Sequence, residues 1–490
     1  MVEHSKYPSP PRPLLTRNPL LWFSFFGPGA VIASLTVGSG ELLFPSRMGA
    51  IFGYRLLWIF PLAAFLKWIL AYSSARHMIL SGAHPLERWK EVPGPRGWLP
   101  LFFFSIFFIC NPFWASLQTG LLGGITASIF PHGDMYFWAT VCVIGSLVLL
   151  VIGNYRFLER AQMMILGVML VCILVAVFYV QPPWWQVLKG LLLPQIPEYP
   201  GWVLDKYHEN FSGRSQWLEL TVAISVIGGA AGDYIFYVSM LREKQWGRSS
   251  MGIAGDEELT VIDKDPHHVV RIWVRAAMID TVLSMMMVIV IATSFCVLSS
   301  IILLPQQIVP AKDSELLLHQ SQFLTQLSPA LLPVYQLAVF LAFFGNVYGG
   351  PEMASGVFNE YSRVVPGIQR RWSANRIRWF AIVWTLFGGL AIVWITRALP
   401  GVGLVEVATF PAIYASILLC GFYCFANTWA DRRFLPQSLR MPRFMMVFNI
   451  LAGLIFAVIG VKAMWDHTYW HFIVLPVWIL ASMWIASKLR

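Results

Sequence analysis

The fold is decided by two glycine-rich stretches, TVGSGE at residues 36–41 and GGAAGD at residues 228–233. Each stretch interrupts a long apolar segment, and each ends in a carboxylate, Glu41 in the first and Asp233 in the second. Glycine-interrupted hydrophobic segments at corresponding positions of two halves are typical of inverted-repeat membrane transporters. A carboxylate deep in a membrane is costly, which favours a functional role. The two stretches therefore predict a binding site at the membrane midplane.

The rest of the composition agrees with a membrane protein. The chain has 490 residues, of which 57% are hydrophobic and 12% charged, and its mean hydropathy is +0.63. A soluble protein carries about 25% charged residues. Apolar runs long enough to cross a bilayer recur throughout and predict about twelve spans, near residues 20–52, 54–79, 98–122, 136–153, 161–180, 216–241, 272–303, 329–358, 376–397, 403–425, 443–466 and 469–487.

The order of these spans predicts an all-α, polytopic protein built from two five-helix repeats. Spans one to five and six to ten each begin with a broken helix, and an odd number of helices per repeat inserts the second repeat upside down. The last two spans lie outside the repeats. The predicted units are an N-terminal segment, the first repeat, an outer connecting loop, the second repeat and a C-terminal part, at residues 1–19, 20–181, 182–215, 216–426 and 427–490.

The net charge of +10 indicates topology and not nucleic-acid binding. Most of the 35 Lys and Arg residues fall in the N-terminus, the C-terminus and alternate loops. By the positive-inside rule these loops and both termini are expected in the cytoplasm, and the protein in the inner (plasma) membrane. The expected partners are the lipid bilayer, a transported ion and a coupling ion, with no nucleic acid.

The chemistry of the two breaks favours a cation. Unwound backbone at membrane depth is tolerated where it lines a cavity or contacts a ligand. Freed carbonyls attract cations, and two nearby acids strengthen the negative field. We expect Glu41 to be the main ligand and Asp233 a second ligand or a proton acceptor. The backbone positions expected to complete the site are Gly38, Gly40, Gly228 and Ala230.

Several alternatives stay open at this stage. The glycines can simply allow close helix packing, Glu41 can pair with Arg47, and Asp233 can cap a helix within the span. Polar residues in other spans are candidates for the transport pathway or for ordinary hydrogen bonds between helices, namely Asn111, Gln118 and Asn346. Lys67 is expected to line the pathway or to snorkel towards the membrane surface, and Asp280 to pair with Arg275.

The cysteines and histidines do not indicate a resident cofactor. All six cysteines lie in apolar spans, where a buried cysteine usually packs as a small hydrophobic residue. No histidine lies deep within a predicted span. We therefore expect no haem, no histidine-based zinc centre and no other cofactor besides the transported cation.

Short motifs in the first, second and sixth spans resemble those of the Nramp family, the natural resistance-associated macrophage protein type of divalent metal transporters. The resemblance is carried by GPG at 27–29, AR at 75–76, SGAHPLE at 81–87, YVS at 237–239 and LR at 241–242. It implies a LeuT-like 5+5 inverted repeat with two additional C-terminal helices, and transport of a divalent metal ion by alternating access.

The chain departs from the family where the family binds metal. The family motif Asp-Pro-Gly-Asn is Gly-Ser-Gly-Glu here, at residues 38–41, and Met-Pro-His is Ala-Gly-Asp, at residues 231–233. The thioether and the imidazole are therefore missing from the two motifs. Oxygen ligands alone favour hard cations such as Mg²⁺, Mn²⁺ and Ca²⁺, as in the magnesium-transporting relatives that also lack the standard motif. The acids that the family uses for proton coupling in its third helix have no clear counterpart.

Two other functions compete with metal transport. The first is sodium-coupled transport of a small organic solute on the same fold. The second and more remote one is an intramembrane enzyme, because paired carboxylates can act as acid and base. No Ser–His or Cys–His pair lies at membrane depth, so we predict a transporter and not an enzyme.

Overall fold

The structure is a computed structural model that describes residues 7–16, 18–22, 39–153, 167–168, 170–211, 213–309, 313–365, 368–399 and 402–489. Helices dominate these ranges, and no β-strand occurs in them. The all-α prediction is therefore confirmed. Gly38 and the GPG motif at 27–29 lie outside the described residues.

The helices of the membrane region are numbered α1 to α14 in chain order. They are α1 (Phe44–Phe52), α2 (Ile59–Ser81), α3 (Trp98–Ile129), α4 (Met135–Ile152), α5 (Leu170–Tyr179), α6 (Gln216–Val226), α7 (Ala231–Glu243), α8 (Val269–Ile302), α9 (Leu332–Val364), α10 (Ala374–Ala398), α11 (Leu404–Pro411), α12 (Leu419–Phe434), α13 (Arg443–His467) and α14 (His471–Lys488).

Shorter elements connect them. Two π-helical segments, Ser39–Leu43 before α1 and Ala412–Leu418 between α11 and α12, interrupt the regular helix pattern. Short α-helices are found at Arg12–Leu15, Pro19–Trp22, Pro85–Trp89, Trp184–Leu192, Gly201–Lys206, His208–Phe211, Asp256–Lys264, Asp313–Gln320, Gln322–Thr325 and Ile368–Arg371. Single 3₁₀ turns occur at Gly53–Leu56, Pro329–Leu331 and Gln437–Leu439.

These helices agree with the predicted spans. Within the described ranges, 9 helices are long and apolar enough to cross a membrane. Two further pairs meet this criterion together, Gly40–Leu56 with α2 at a bend of 102° and α5 with Trp184–Leu192 at a bend of 118°. Each predicted span contains one of these helices, so the polytopic architecture is confirmed. The connection at residues 182–215 differs from a plain loop because much of it is helical.

The predicted break in the sixth span is present. Helix α6 ends at Val226 and α7 begins at Ala231. Between them, Gly228 and Gly229 have φ angles of +74° and +91°, in the region that glycine adopts at little steric cost. The first span is irregular at the corresponding place, where the π-helical segment at 39–43 leads into α1.

Most membrane helices fall into two packing groups, although α6 also packs against α13 and α7 against α9, outside the first group. Helix α8 packs against α1 and α2, and α2 also contacts α6 and α7. In the second group, α3 packs against α4, α9 and α10, which also contact one another. Helix α13 lies against α12 and α2, and α14 lies against α3. The two breaks belong to the first group and face the second.

A buried ion network joins the two repeats beside the breaks. Glu219 in α6 is fully buried and accepts bonds from Arg47 Nη2 at 3.0 Å and from Arg214 Nε at 2.6 Å. The alternative pairing of Arg47 with Glu41 is therefore wrong, since Arg47 reaches across to the other repeat. The expected pairing of Asp280 with Arg275 is also wrong. Asp280 accepts a bond from Tyr237, whereas Arg275 donates to backbone carbonyls near the N-terminus.

The Glu219→Gln substitution should destabilise the protein by about 3 kcal/mol, because it leaves two buried guanidinium groups without their counter-ion. The change would be measured as a lower melting temperature of the purified protein in detergent.

The matched control is Asp134→Asn. Asp134 pairs with Arg397 at 3.2 Å, with both side chains about half exposed, and it caps α4 through the amide of Phe137. Asparagine keeps the cap, and loss of an exposed pair costs less than about 1 kcal/mol. Equal melting temperatures for the two variants would contradict a stabilising role for the buried network.

Candidate functional site

A cavity of about 140 Å³ lies where the two breaks meet the second group of helices. Its walls come from the π-helical segment at 39–43, the break after α6, the start of α7, the middle of α3, α9 and α10, and the π-helical segment at 412–418. The polar side chains that line it are Asn111, Gln118, Thr119, Ser225, Asp233, Asn346, Thr385 and Ser416. Its volume is sufficient for an ion with several water molecules.

The structure brings together most of the residues that the sequence predicts for the site. Gly40, Ala230 and Asp233 line the cavity, as do the three pathway candidates Asn111, Gln118 and Asn346. Glu41 and Gly228 are not among the described residues of its wall. Gly38 lies outside the described part of the chain.

Glu41 contacts the backbone of the other break. Its side chain is fully buried, and its Oε1 accepts a hydrogen bond from the amide of Gly228 at 3.3 Å. The neighbouring Gly40 makes this approach possible, because a Cβ atom there would lie 2.9 Å from the carbonyl oxygen of Val226. Glu41 thus joins the first break to the second.

Asp233 has two roles in this structure. It lies in the first turn of α7, where its Oδ2 accepts a bond from the amide of Ala230 at 2.5 Å. This interaction is the helix cap that the sequence left open as an alternative. The same side chain lines the cavity. Among the described lining residues, Asp233 is the single acidic side chain, and there is no Lys, Arg or His. The side chains of the described wall therefore favour a positively charged ligand.

Lys67 lies inside the second break and does not snorkel. Its side chain is fully buried on α2, and Nζ donates to the carbonyl oxygens of Ser225 at 2.7 Å and Gly229 at 2.6 Å. The expectation that it extends to the membrane surface is wrong because these two carbonyls offer partners at membrane depth. A lysine within a 23-residue apolar helix was the only sequence signal for this contact.

Side chains thus satisfy the backbone of the second break. The Tyr234 hydroxyl donates to the carbonyl of Gly228, and Lys67 donates to that of Gly229. The amides of Gly228 and Ala230 donate to Glu41 and Asp233. The carbonyl of Gly228, which the sequence assigned to a bound ion, is therefore engaged by the protein itself.

Three buried polar atoms on the cavity wall have no hydrogen-bond partner within the described residues. They are Asn346 Oδ1, Ser416 Oγ and Trp114 Nε1. Asn346 donates through Nδ2 to Gln118 Oε1 at 3.4 Å, and Asn111 Nδ2 donates to Thr385 at 2.5 Å. A buried polar atom without a partner is costly. These atoms therefore indicate a polar ligand or water in the cavity.

Sulfur is present on the cavity wall outside the two breaks. Cys110 and Met353 line it, although the two breaks themselves contain no sulfur. No group of three His, Cys, Asp or Glu side chains suited to a metal ion occurs in the part of the chain that the structure describes. A metal ion here would rely on Asp233, on amide and hydroxyl oxygens and on retained water.

Sequence reasoning missed several residues of the cavity wall. Trp114, Thr385 and Ser416 carry no pattern that marks them, because single polar residues in apolar helices usually bond locally. Ser416 has one weak signal. Pro411 lies just before the π-helical segment that contains it, and such segments are frequent at functional sites.

Comparison with known proteins identifies the family of the chain. The family model described as "Natural resistance-associated macrophage protein-like" matches residues 29–466. The chain is 26% identical over 188 residues to the divalent metal cation transporter MntH of Acidiphilium cryptum, covering 37% of this chain and 41% of that relative. It is 27% identical over 180 residues to metal transporter Nramp3.1 of Populus trichocarpa, covering 36% and 35%. The matches thus span about two fifths of these relatives or less.

Solved structures show the fold. The manganese transporter of Eremococcus coleocola superposes with a TM-score of 0.64 at 14% identity, covering 96% of this chain and 94% of that one. Mhp1 in its inward-facing conformation superposes with a TM-score of 0.52 at 13% identity, covering 95% and 91%. The LeuT-like fold is therefore confirmed, and the match of the family model over most of the sequence shows that this chain belongs to the Nramp-like family of multi-pass membrane proteins.

Proposed function

We propose that this chain is a membrane transporter for a hard divalent cation, Mg²⁺, Mn²⁺ or Ca²⁺. The cation would cross the membrane by alternating access to the cavity at the helix breaks. One observation carries the proposal. The carboxylate of Asp233 lies on the cavity wall with the unpartnered oxygens of Asn346 and Ser416, and the described wall has no cationic side chain. Relatives that are named metal or manganese transporters support the same substrate class.

The ligand chemistry supports this class of ion. One carboxylate with neutral oxygens and retained water resembles the oxygen-rich sites that suit Mg²⁺, Ca²⁺ and Mn²⁺. The sulfur atoms of Cys110 and Met353 on the same wall favour Mn²⁺ within this class, because it accepts softer ligands best.

The packing supports alternating access. The cavity lies between the group that contains both breaks and the group of α3, α4, α9 and α10. Rocking of one group against the other would open the cavity first to one side of the membrane and then to the other. The distribution of basic residues supports cytoplasmic termini.

A second candidate is transport of a small organic cation. Phe107 and Trp114 line the cavity together with Asp233, and aromatic faces beside a carboxylate suit an amine. This candidate corresponds to the alternative raised from the sequence, transport of a small organic solute on the same fold. An intramembrane enzyme has no comparable support, because the relatives described above are named as transporters.

The Asp233→Asn substitution should reduce divalent cation affinity by at least about 100-fold, because it removes the charge that faces the ion in a medium of low dielectric constant. Asparagine can still accept the bond from the amide of Ala230 through its side-chain oxygen, so the variant should fold. Influx of Mg²⁺, Mn²⁺ and Ca²⁺ into liposomes that contain the purified protein would measure the loss.

The matched comparison is Glu41→Gln, which changes the other carboxylate of the breaks. Its side chain is outside the described cavity wall, and glutamine can still accept the bond from Gly228. We expect Glu41→Gln to lose less divalent cation affinity than Asp233→Asn. The reverse order would place the main ligand at the first break. Wild-type influx of an organic amine without influx of any divalent ion would favour the second candidate.

The Asn346→Leu substitution should reduce divalent affinity about tenfold, because it replaces the unpartnered amide oxygen by a side chain of similar size. Influx measured over a range of ion concentrations would give the affinity.

Asn359→Leu on the same helix is the control. Asn359 donates to the carbonyl of Ser355, four residues earlier, and is not part of the described cavity wall. This variant should keep the wild-type affinity. Equal affinities for the wild type, Asn346→Leu and Asn359→Leu would show that Asn346 is not a ligand.

A further inference from the structure

We propose that Lys67 is a tethered cation, whose ammonium group permanently fills a monovalent-cation position at the second break. The position would otherwise need a bound ion, because carbonyls freed by an unwound helix bind cations.

The geometry is that of a small cation between backbone carbonyls. Ser225 lies in the last turn of α6, where helical carbonyls lack their usual partners and the helix dipole is negative. Gly229 lies in the break itself. Their two oxygens converge on Lys67 Nζ at 2.7 Å and 2.6 Å. The aliphatic part of the side chain lies near the break, since a Cβ atom added to Gly228 would be at an ordinary contact distance of 3.6 Å from Lys67 Cδ.

The surrounding charges favour a cation at this point. The carboxylates of both breaks lie at this loop, where Asp233 accepts a bond from the amide of Ala230 and Glu41 accepts one from the amide of Gly228, on either side of the Gly229 carbonyl that the ammonium contacts. Taken out of water, two carboxylates near one break would repel each other, and a buried positive charge offsets this repulsion. Lys67 supplies that charge covalently, so it cannot dissociate as a bound ion would.

Tethering has a mechanical consequence. Lys67 belongs to α2, whereas its two acceptors belong to α6 and to the break that follows. The contact therefore fixes the second break to α2 within the same helix group. A released ion would loosen such a contact during each transport cycle, whereas a lysine keeps it. If the chain transports a divalent cation, as proposed above, the tethered lysine leads to transport that does not depend on Na⁺.

The test uses the purified full-length protein and the Lys67→Ala variant. Melting temperatures are compared in choline chloride, NaCl, KCl, ammonium chloride and ethylammonium chloride at equal ionic strength. Wild type should melt at the same temperature in all five salts. Lys67→Ala should melt several degrees lower in choline and should recover part of that loss in one or more of the small cations, because these can enter the vacated position.

Two further variants keep the result interpretable. Lys67→Gln retains much of the volume and can donate to one carbonyl, so it provides a second protein should the alanine variant fail to fold. Lys462→Ala is the control, because Lys462 is partly exposed and pairs with Asp466 one turn away. It should show no recovery that is specific to small cations.

Each outcome supports or overturns the proposal. Recovery of the Lys67 variants alone supports a tethered cation. No recovery in any salt, or equal stabilisation of wild type by Na⁺, would overturn it. Divalent influx is measured separately in liposomes with and without Na⁺. Absence of influx with recovery intact would reject the proposed function and leave the tethered cation, whereas Na⁺-dependent wild-type influx would reject Na⁺ independence.

Discussion

The structure depends on one constraint, the need to satisfy backbone polar groups where a helix is unwound at membrane depth. Lipid offers no hydrogen bonds, so each freed amide and carbonyl must find a partner within the protein or in a ligand. In the second break, Glu41, Lys67, Asp233 and Tyr234 provide those partners. Two of these four residues, Glu41 and Lys67, come from the first repeat. The unwound backbone therefore also joins the two halves of the molecule.

This arrangement separates two tasks, holding the unwound backbone of the break and lining the cavity. Glu41 and Lys67 hold the break, whereas Asp233 both caps α7 and lines the cavity. The ligands available to an ion are then one carboxylate together with amide and hydroxyl oxygens and water. Under the proposed function, such a site would have a low charge and would rely on partial hydration of its ion, which suits a transporter that must release what it binds.

The standard family motifs are absent here, yet the family's fold is kept. The fold requires the breaks, and small residues at 39–40 and 228–232 can form them without proline, methionine or histidine. The ligands themselves are not required by the fold. Substitution of those positions can therefore change the chemistry of the cavity while the packing of the two helix groups persists.

The sequence by itself determined the all-α, multi-span architecture and the location of the second break, because hydrophobic length and glycine placement act locally along the chain. It also pointed to four polar residues that line the cavity, since polar residues stand out in apolar spans. They are Asp233, Asn111, Gln118 and Asn346. Only the tertiary structure decided that Arg47 pairs with Glu219, that Lys67 enters the second break, and that Glu41 faces a backbone amide. Those contacts join residues more than 150 positions apart. Their formation depends on how helices rotate and pack against each other, which no local pattern specifies.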